Sequence, residues 1–464
     1  VTHFFRGVNT MRSAVIISGL LLFAASTLFA QENPTDFENN WPQFRGSDSN
    51  QLSKSASLPE EWDENKNVLW KFELPGSGWS SPIVWGDKVF VNTAVSDDLT
   101  TEQRSYLHTP STKRSSADDY DPETEYSYEL HCLDLNSGEL LWKRVAYKGK
   151  PYLATRWENT HSNETPVTDG KRIYAYFGMI GLFCYDFDGN LVWNKDLGSY
   201  PTESTWGAAS SPILYEDFLY VQIDNLEHSF LVALDSETGN EKWKIDRDDN
   251  NSFSTPVIWK NSVRTELVVS GQSARGYDPY TGKMFWELDL GGGRNIPSPV
   301  ADDKFLYAGN QGRRDGGDIL FAVKAGANGN ITPEEENSTS AGVAWSIPSA
   351  GLSNSSPLLY KGNIYLVNER SGFISCYDAK SGKPYYQRTR IPDAEAFWAT
   401  PWAFNDKIFC LDDAGTTFVL EAGNEFNILY ENKIDDMFWP SAALVEDTIV
   451  LRGVNYIYCI RQTD

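Results

Sequence analysis

The sequence repeats itself eight times, and this periodicity restricts the possible folds more than any other feature. Each unit begins with a Ser/Thr-Pro dipeptide or a close variant, followed by a short strand, a polar turn and a second alternating strand. The units begin at Ser80, Glu164, Ser210, Ser254, Pro297, Ser355, Ala399 and Pro440. Four strands in every roughly 40–50 residues is typical of the blades of a β-propeller.

The second half of the unit also repeats and indicates how each blade ends. CLDLNSGELLW (132–142), CYDFDGNLVW (184–193), ALDSETGNEKW (233–243) and GYDPYTGKMFW (276–286) follow one pattern, and Tyr386 replaces the Trp in CYDAKSGKPYY (376–386). The Asp side chain can accept the turn amides, the Gly can adopt a positive φ, and the aromatic residue opens the last strand.

The two ends of the repeat complement each other. The eighth unit stops after its third strand at YIYCIR (456–461), and the missing Trp-bearing strand precedes the first unit as NVLWKFEL (67–74). We therefore predict an all-β fold over residues 67–464, an eight-bladed β-propeller of four-stranded antiparallel blades. The N-terminal strand would close the last blade and remove an exposed sheet edge. Seven blades remain the alternative if the divergent fifth or eighth unit is incomplete.

The second half of the repeat is similar to a motif of a known protein family. The pattern [AC]-x-D-x-x-[ST]-G-x-x-x-W resembles the tryptophan-docking motif of the quinoprotein propellers, which include PQQ-dependent alcohol dehydrogenases and BamB. WPQFRG (41–46) and LPGSGWSSPIVWGDKVFV (74–91) resemble the secreted PQQ-like repeat proteins of planctomycete-type bacteria. The resemblance covers about residues 41–461. It implies that a set of tryptophans packs structurally between blades: Trp70, Trp142, Trp193, Trp243, Trp286 and Trp345.

Three segments lie outside the repeat. Ser96–Glu129 in blade one and Gly326–Gly342 in blade five are insertions, which we expect to be solvated loops, with a lid or partner-docking role as the alternative. Residues 31–66 form an irregular leader, which we expect to pack on a face of the propeller through Trp41 and Phe44.

The N-terminal 30 residues predict export. MRSAVIISGLLLFAASTLFA (11–30) has the charged start, short apolar run and small-residue end of a secretory signal peptide. Residues 1–10 are interpreted as an upstream mis-start, with Met11 as the initiator. No Cys follows the apolar run, so we expect a periplasmic or secreted protein that is not a lipoprotein. No other apolar stretch approaches the roughly 20 residues of a membrane span, so no membrane insertion of the mature chain is expected.

Charge and cysteine content narrow the possible partners. The formal charge of −24 argues against a nucleic-acid partner, which needs a basic footprint. Cys132, Cys184, Cys376 and Cys459 occupy the same place in successive repeats, so we expect buried, unpaired thiols rather than disulfides or metal ligands. A monomer is expected.

Candidate binding residues cluster just before the first strand of each unit, where the mouth of a propeller channel is built. They are Trp79, His161, Glu164, Trp206, Arg294, Asn354, Trp398 and Trp439. Aromatic rings with a few polar groups suit a ligand-binding funnel for a sugar face, a peptide segment or a quinone. The alternative is that the rings only cap the hydrophobic core.

Catalytic motifs are missing from the sequence. The resemblance to quinone-dependent dehydrogenases would imply a vicinal Cys-Cys pair, a calcium held by Glu and Asn, and an Asp base, but the chain has no Cys-Cys and no C-x-x-C-H. Walker-type, HExxH and G-x-S-x-G motifs are also missing. We therefore expect no catalytic residue, metal or cofactor, and a non-catalytic scaffold for a protein or cell-envelope polymer. The alternatives are a PQQ- and calcium-dependent dehydrogenase of atypical site and a carbohydrate-binding propeller.

Overall fold

The computed structural model describes residues 34–463 except 56, 115–117, 313–316, 336–337 and 369–371. The predicted signal peptide lies outside the described residues. Eight antiparallel sheets form the blades of an eight-bladed β-propeller, which confirms the predicted fold. Helix is limited to α1 (Pro34–Asn39), α2 (Thr101–Leu107) and two short 3₁₀ turns (Ser111–Lys113 and Glu203–Thr205) within the described residues.

The first strand of the chain is β1 (Val68–Glu73), and the blades follow it in chain order. Blade one contains β2 (Ile83–Trp85), β3 (Lys88–Val95), β4 (Tyr126–Asp134) and β5 (Leu140–Gly149). Blade two contains β6 (Val167–Thr168), β7 (Arg172–Phe177), β8 (Gly181–Asp186) and β9 (Leu191–Lys195). Blade three contains β10 (Ile213–Tyr215), β11 (Phe218–Ile223), β12 (Phe230–Asp235) and β13 (Glu241–Asp246). Blade four contains β14 (Val257–Lys260), β15 (Thr265–Ser270), β16 (Ser273–Tyr277) and β17 (Met284–Asp289).

The second half of the ring continues the pattern. Blade five contains β18 (Val300–Ala301), β19 (Phe305–Asn310), β20 (Ile319–Lys324) and β22 (Val343–Pro348), with β21 (Gly329–Asn330) between the last two. Blade six contains β23 (Leu358–Tyr360), β24 (Asn363–Val367), β25 (Phe373–Asp378) and β26 (Pro384–Arg390). Blade seven contains β27 (Trp402–Phe404), β28 (Lys407–Leu411), β29 (Thr416–Glu421) and β30 (Ile428–Lys433). Blade eight contains β31 (Ala443–Val445), β32 (Thr448–Arg452) and β33 (Tyr456–Arg461).

The ring is closed by the N-terminal strand, as predicted. β1 pairs antiparallel with β33, so that Trp70 lies opposite Cys459 and Glu73 lies opposite Tyr456. The eighth blade therefore joins chain segments from both ends of the propeller. This closure removes a free edge that an open sheet would expose.

Indole rings link most neighbouring blades. Five tryptophans donate their Nε1–H to a backbone carbonyl in the turn of the next blade: Trp70 to Leu135, Trp142 to Phe187, Trp193 to Ser236, Trp243 to Pro279 and Trp345 to Ala379. Trp286 differs, because its Nε1–H donates to the Glu266 carboxylate within blade four. At that junction the indole of Trp259 donates to the carbonyl of Asp302 in blade five.

The turn glycine of the repeat leaves room for the tryptophan of the preceding blade. Gly239 has a φ of +70°, and a Cβ there would lie 2.7 Å from the Trp193 ring. A larger residue would therefore be strained in its backbone and would also displace the ring. Asp235 fixes the same turn by accepting the Thr238 amide and hydroxyl.

A ring of hydroxyl groups encircles the channel and explains the repeated Ser/Thr-Pro dipeptide. In seven contacts among the described residues, the backbone N–H of one Ser or Thr donates to the side-chain oxygen of its counterpart in the next blade: Ser81 to Thr165, Thr165 to Ser211, Ser211 to Thr255, Thr255 to Ser298, Ser298 to Ser356, Thr400 to Ser441 and Ser441 to Ser81. These bonds satisfy buried amides that no strand partner reaches.

The leader crosses the inner strands of most blades. The backbone of Trp41 pairs with Val84, Asn50 bonds the backbone of Leu359, and Ser53 donates to the carbonyl of Ala403. Buried Arg45 donates to the carbonyls of three residues, Ser298, Pro299 and Pro357. Burial lowers the pKa of Arg45 to about 9, and the three carbonyl oxygens accept its N–H groups. The leader therefore closes one end of the channel.

Each insertion is anchored on the propeller by a few buried residues, a feature that the expectation of solvated loops did not include, while many of its other described residues are exposed. In the blade-one insertion, Tyr106, Leu107 and Tyr120 are buried. In the blade-five insertion, β21 pairs parallel with β17 of blade four, and Ile331 is buried beside it. Each insertion contains a few large apolar residues among its polar ones, and these supply the packing.

The cysteine prediction is confirmed. All five cysteines are buried and unpaired. Burial raises the pKa of the thiols of Cys132, Cys376 and Cys459 to about 12, so they stay protonated. In the described part of the chain, no helix combines the length and apolar character needed to cross a membrane.

Candidate functional site at the channel mouth

A cavity of about 260 Å³ lies above the hydroxyl ring. Phe44 of the leader lines it, so the segment that closes the channel also contributes to the cavity floor. Six of the eight residues predicted from the sequence line this cavity: Trp79, Trp206, Arg294, Asn354, Trp398 and Trp439. Sequence reasoning did not select Glu158, Glu203 or Ile296, which also line it. The repeat therefore predicts most of the cavity wall, because each unit places the residues before its first strand at the mouth of the channel.

Three tryptophans from neighbouring blades stack on one side of the cavity. The rings of Trp398 and Trp439 are 3.9 Å apart between centroids at an interplanar angle of 10°, and those of Trp79 and Trp439 are 4.6 Å apart at 26°. The guanidinium of Arg114, from the blade-one insertion, lies 4.6 Å from the centroid of Trp439. Aromatic pairs and cation–π contacts of this kind each contribute about 0.5–1.5 kcal/mol. Much of the Trp439 ring is therefore already covered by protein groups.

Trp206 stands apart from this stack. The guanidinium carbons of Arg156 and Arg294 lie 5.5 and 5.6 Å from its ring centroid. The side chain of Arg156 is also close to Glu158, with 3.5 Å between Nε and Oε2. Trp206 therefore presents an indole flanked by two cations, one of them paired with a carboxylate.

The blade-one insertion reaches the rim of the cavity on two sides. Ser111 donates its backbone N–H and its hydroxyl to Asp413 Oδ2 of blade seven, at 2.7 and 2.6 Å, and accepts the Trp398 Nε1–H at 3.0 Å. On the other side, Asp119 accepts the hydroxyl of Thr205 at 2.7 Å. Burial raises the pKa of Asp413. The contacts of Ser111 with Asp413 and Trp398 join residues about 300 positions apart in the sequence, and that of Asp119 with Thr205 joins residues 86 positions apart; no sequence pattern indicated them.

His161 and Glu164 are placed elsewhere, between blades one and two. The His161 ring is surrounded by Tyr120, Tyr126 and Tyr128, with centroids at 5.6, 4.5 and 6.5 Å. Burial lowers the pKa of His161 to about 4. Glu164 accepts the backbone N–H of Gly178, and burial raises its pKa to about 8. Both residues line a separate small void and do not line the main cavity.

The residues of the mouth do not fit a calcium–quinone pair. Calcium takes about six to eight oxygen ligands, including several carboxylates. Within the described residues, no three His, Cys, Asp or Glu side chains are close enough to hold a metal ion together. The acids of the cavity, Glu158 and Glu203, would also oppose the carboxylates of PQQ. We therefore derive no step through this cofactor.

Comparison with known proteins agrees with the fold. Residues 127–388 match the family model described as outer membrane protein assembly factor BamB. The chain belongs to this family. Among solved structures, quinohemoprotein alcohol dehydrogenase from Comamonas testosteroni aligns with a TM-score of 0.56 at 11% identity, over 92% of this chain and 82% of that one. Quinohemoprotein alcohol dehydrogenase ADHIIG from Pseudomonas putida HK5 aligns with a TM-score of 0.52 at 10% identity, over 92% and 81%. At these identities the likeness shows the fold alone.

A curated relative is tetrathionate hydrolase from Acidithiobacillus ferrooxidans. It is 21% identical over 345 residues, which cover 69% of this chain and 60% of the hydrolase. The chain thus spans less than two thirds of the length of this relative. Family membership therefore establishes a BamB-like propeller and does not identify its ligand.

Proposed function

We propose that the protein is a non-catalytic propeller scaffold, in the periplasm or outside the cell, whose channel mouth binds a segment of a partner protein. The observation that carries this proposal is the cavity of about 260 Å³, which is lined by aromatic side chains and closed below by the leader. A cavity of this size accepts one or two large side chains of a partner, held as anchor residues are held in protein interfaces.

Two unpaired polar atoms favour a peptide segment. Among the described residues, Asn354 Oδ1 and Trp439 Nε1 are buried and have no hydrogen-bond partner. Both residues line the cavity. One is an acceptor and the other a donor, and a peptide group offers one donor and one acceptor in return. A bound peptide segment whose groups reach these two atoms would satisfy them.

The arrangement of the rings disfavours the carbohydrate alternative. Sugar-binding tryptophans present an open face, whereas Trp398, Trp439 and Trp79 contact one another. The charged groups of the mouth also carry opposite signs, with Arg294 and Glu158 both lining the cavity. Mixed charge around an apolar centre is typical of a protein interface with a polar rim.

Selection of random 12-residue peptides displayed on phage against the full chain tests this proposal. We expect enriched peptides to carry a large apolar or aromatic residue. Their affinity should fall at least tenfold in Trp206→Ala, which is about 1.4 kcal/mol. Tyr152→Ala is the matched control, because Tyr152 is 60% exposed and does not line the cavity.

Three results would contradict the proposal. The first is binding on a glycan array that is lost in Trp206→Ala. The second is reduction of an artificial electron acceptor by an alcohol when PQQ and Ca²⁺ are supplied. The third is consumption of tetrathionate, the activity named for the curated relative.

A further inference from the structure

The outer edge of blade four shows that a blade of this protein accepts a fifth strand. β21 pairs parallel with β17, with Trp286 opposite Gly329 and Glu287 opposite Asn330. The pairing is extended by the Ile331 N–H, which donates to the Glu287 carbonyl at 2.9 Å, and by the Asp289 N–H, which donates to Thr332 Oγ1 at 3.0 Å. An extended segment, followed by Glu334 and Glu335, thus covers this edge.

Other blades carry exposed apolar side chains on the same outer strand. The residue just before the aromatic residue of the last strand is large, apolar and 38 to 47% exposed in five neighbouring blades, six, seven, eight, one and two: Tyr385, Leu429, Leu69, Leu141 and Val192. In blade three this position is Lys242, which pairs with Asp235 at 2.8 Å. In blade four it is Phe285, which lies 4.1 Å from the Arg264 guanidinium. At this position, exposed large apolar side chains therefore occur in five consecutive blades; on the outer strand of blade four, Met284 is also 48% exposed, two residues before Trp286.

Among the outer strands of this region, β5 of blade one is the best suited to pair with an additional strand. It is 10 residues long, and it pairs with β4 on its inner side and with no described strand on its outer side. Leu141 and Val145 on β5 are 44 and 51% exposed. An edge strand with exposed apolar residues is a template for strand addition. On β5 the Lys143 carbonyl already accepts a hydrogen bond from the Arg144 guanidinium at 2.9 Å.

The charge of β5 favours an acidic partner. Residues 140–150 contain four basic residues, Lys143, Arg144, Lys148 and Lys150, and no acid, although the chain carries a charge of −24. Lys143 pairs with Glu129, and Lys150 pairs with Glu123. Arg144 donates to backbone carbonyls, and Lys148 has no ion-pair partner in the described part of the chain. Two copies of β5 would bring like charges together, which costs energy on paired strands.

We propose that β5 is a docking strand for an extended, acidic segment of a partner protein, which adds to blade one as β21 adds to blade four. This interface lies on the outer edge of the ring and does not use the cavity at the mouth. It requires no conformational change in the propeller, since the edge is already extended and exposed.

The phage selection described above also tests this proposal, with a different pair of variants. Peptides that bind β5 should be rich in Asp and Glu. They should lose at least tenfold in affinity for Arg144→Glu/Lys148→Glu and keep their affinity for Trp206→Ala. The control is Lys242→Glu/Lys244→Glu on β13, which makes the same charge change on the outer strand of blade three.

Hydrogen–deuterium exchange locates the bound peptide. We expect the amides of Leu140–Gly149 to exchange at least tenfold more slowly in the complex, while those of β13 are unchanged. Loss of binding only in Trp206→Ala would overturn this inference and support the proposed function. Loss of binding only in Arg144→Glu/Lys148→Glu would support this inference and contradict binding at the channel mouth. Protection of β5 that grows with protein concentration in the absence of peptide would assign the edge to a second copy. Protection of β5 by phosphatidylglycerol vesicles alone would assign it to a lipid surface, and either result overturns the inference.

Discussion

The indole of Trp398 lies parallel to that of Trp439, and its Nε1–H donates to Ser111 Oγ. Ser111 in turn is held by the buried carboxylate of Asp413. Blades seven and eight and the blade-one insertion therefore meet at one indole. Trp398 both forms a wall of the cavity and anchors the segment that borders it.

Replacing Trp398 by Ala should release this anchor. The half-buried ring loses its stacking and its hydrogen bond, so we expect a loss of about 2–4 kcal/mol in the free energy of unfolding, measured with urea. Trp398→Phe keeps an aromatic ring and removes the donor, so it should cost about 1 kcal/mol. Equal losses in the two variants would show that stacking on Trp439 contributes little.

The hydroxyl ring predicts a difference between two small substitutions at Ser211. Its Oγ accepts the buried N–H of Thr165 at 2.9 Å. Ser211→Ala leaves that amide without a partner, and we expect a loss of about 1–3 kcal/mol in urea unfolding. Ser211→Thr is the matched control, because Thr165, Thr255 and Thr400 occupy equivalent places in other blades. The role assigned to the ring fails if both variants are as stable as the parent.

How far the sequence predicts the molecule depends on whether a contact repeats. The blades, their closure by residues 67–74 and six residues of the cavity wall follow from a period that places equivalent residues at equivalent positions. The contact between Ser111 and Asp413 occurs once and joins an insertion to a distant blade, so periodicity carries no information about it. The same is true of Arg45, whose acceptors are backbone carbonyls.

Two candidate binding residues, His161 and Glu164, show a second limit of prediction from the repeat. His161 and Glu164 precede the first strand of blade two, as Trp79 precedes that of blade one, yet they lie between blades and not in the cavity. The large blade-one insertion brings Tyr120 against His161 and buries it. Position in the repeat predicts the end of the channel at which a residue lies, but not the neighbour that covers it.

The turn glycine of blade three gives a prediction that distinguishes a contact with the neighbouring ring from backbone strain. In Gly239→Ala the added Cβ would meet the Trp193 ring at 2.7 Å, in a backbone conformation with positive φ. We expect a loss of about 2–3 kcal/mol in the free energy of unfolding. Gly86→Ala is the control, since its φ is also positive and its Cβ would meet no atom within 4 Å. Similar losses would mean that backbone strain alone, and not the ring contact, explains the glycine.

Buried His161 predicts acid sensitivity. Burial lowers its pKa from 6.5 to about 4, so the unfolded chain binds the proton more readily between these values. The free energy of unfolding should therefore fall as the pH drops from 6.5 to 4, by up to about 3 kcal/mol for this group. His161→Gln removes the titration, and the difference between variant and parent in urea unfolding should change by that amount across this range. A constant difference would contradict burial of a neutral imidazole.

Buried Glu164 predicts the opposite slope at higher pH. Burial raises its pKa from 4.5 to about 8, so the folded protein retains a proton that the unfolded chain releases. The contribution of this carboxyl to the free energy of unfolding should be greatest below pH 4.5 and should fall as the pH rises to 8, by up to about 5 kcal/mol in total. Glu164→Gln retains the shape and a neutral side chain, so the parent should lose stability relative to this variant between pH 5 and 8. Gln cannot ionise, so its contribution does not change with pH. If the free energies of unfolding of parent and variant in urea differ by the same amount at pH 5 and pH 8, Glu164 is already ionised in the folded state.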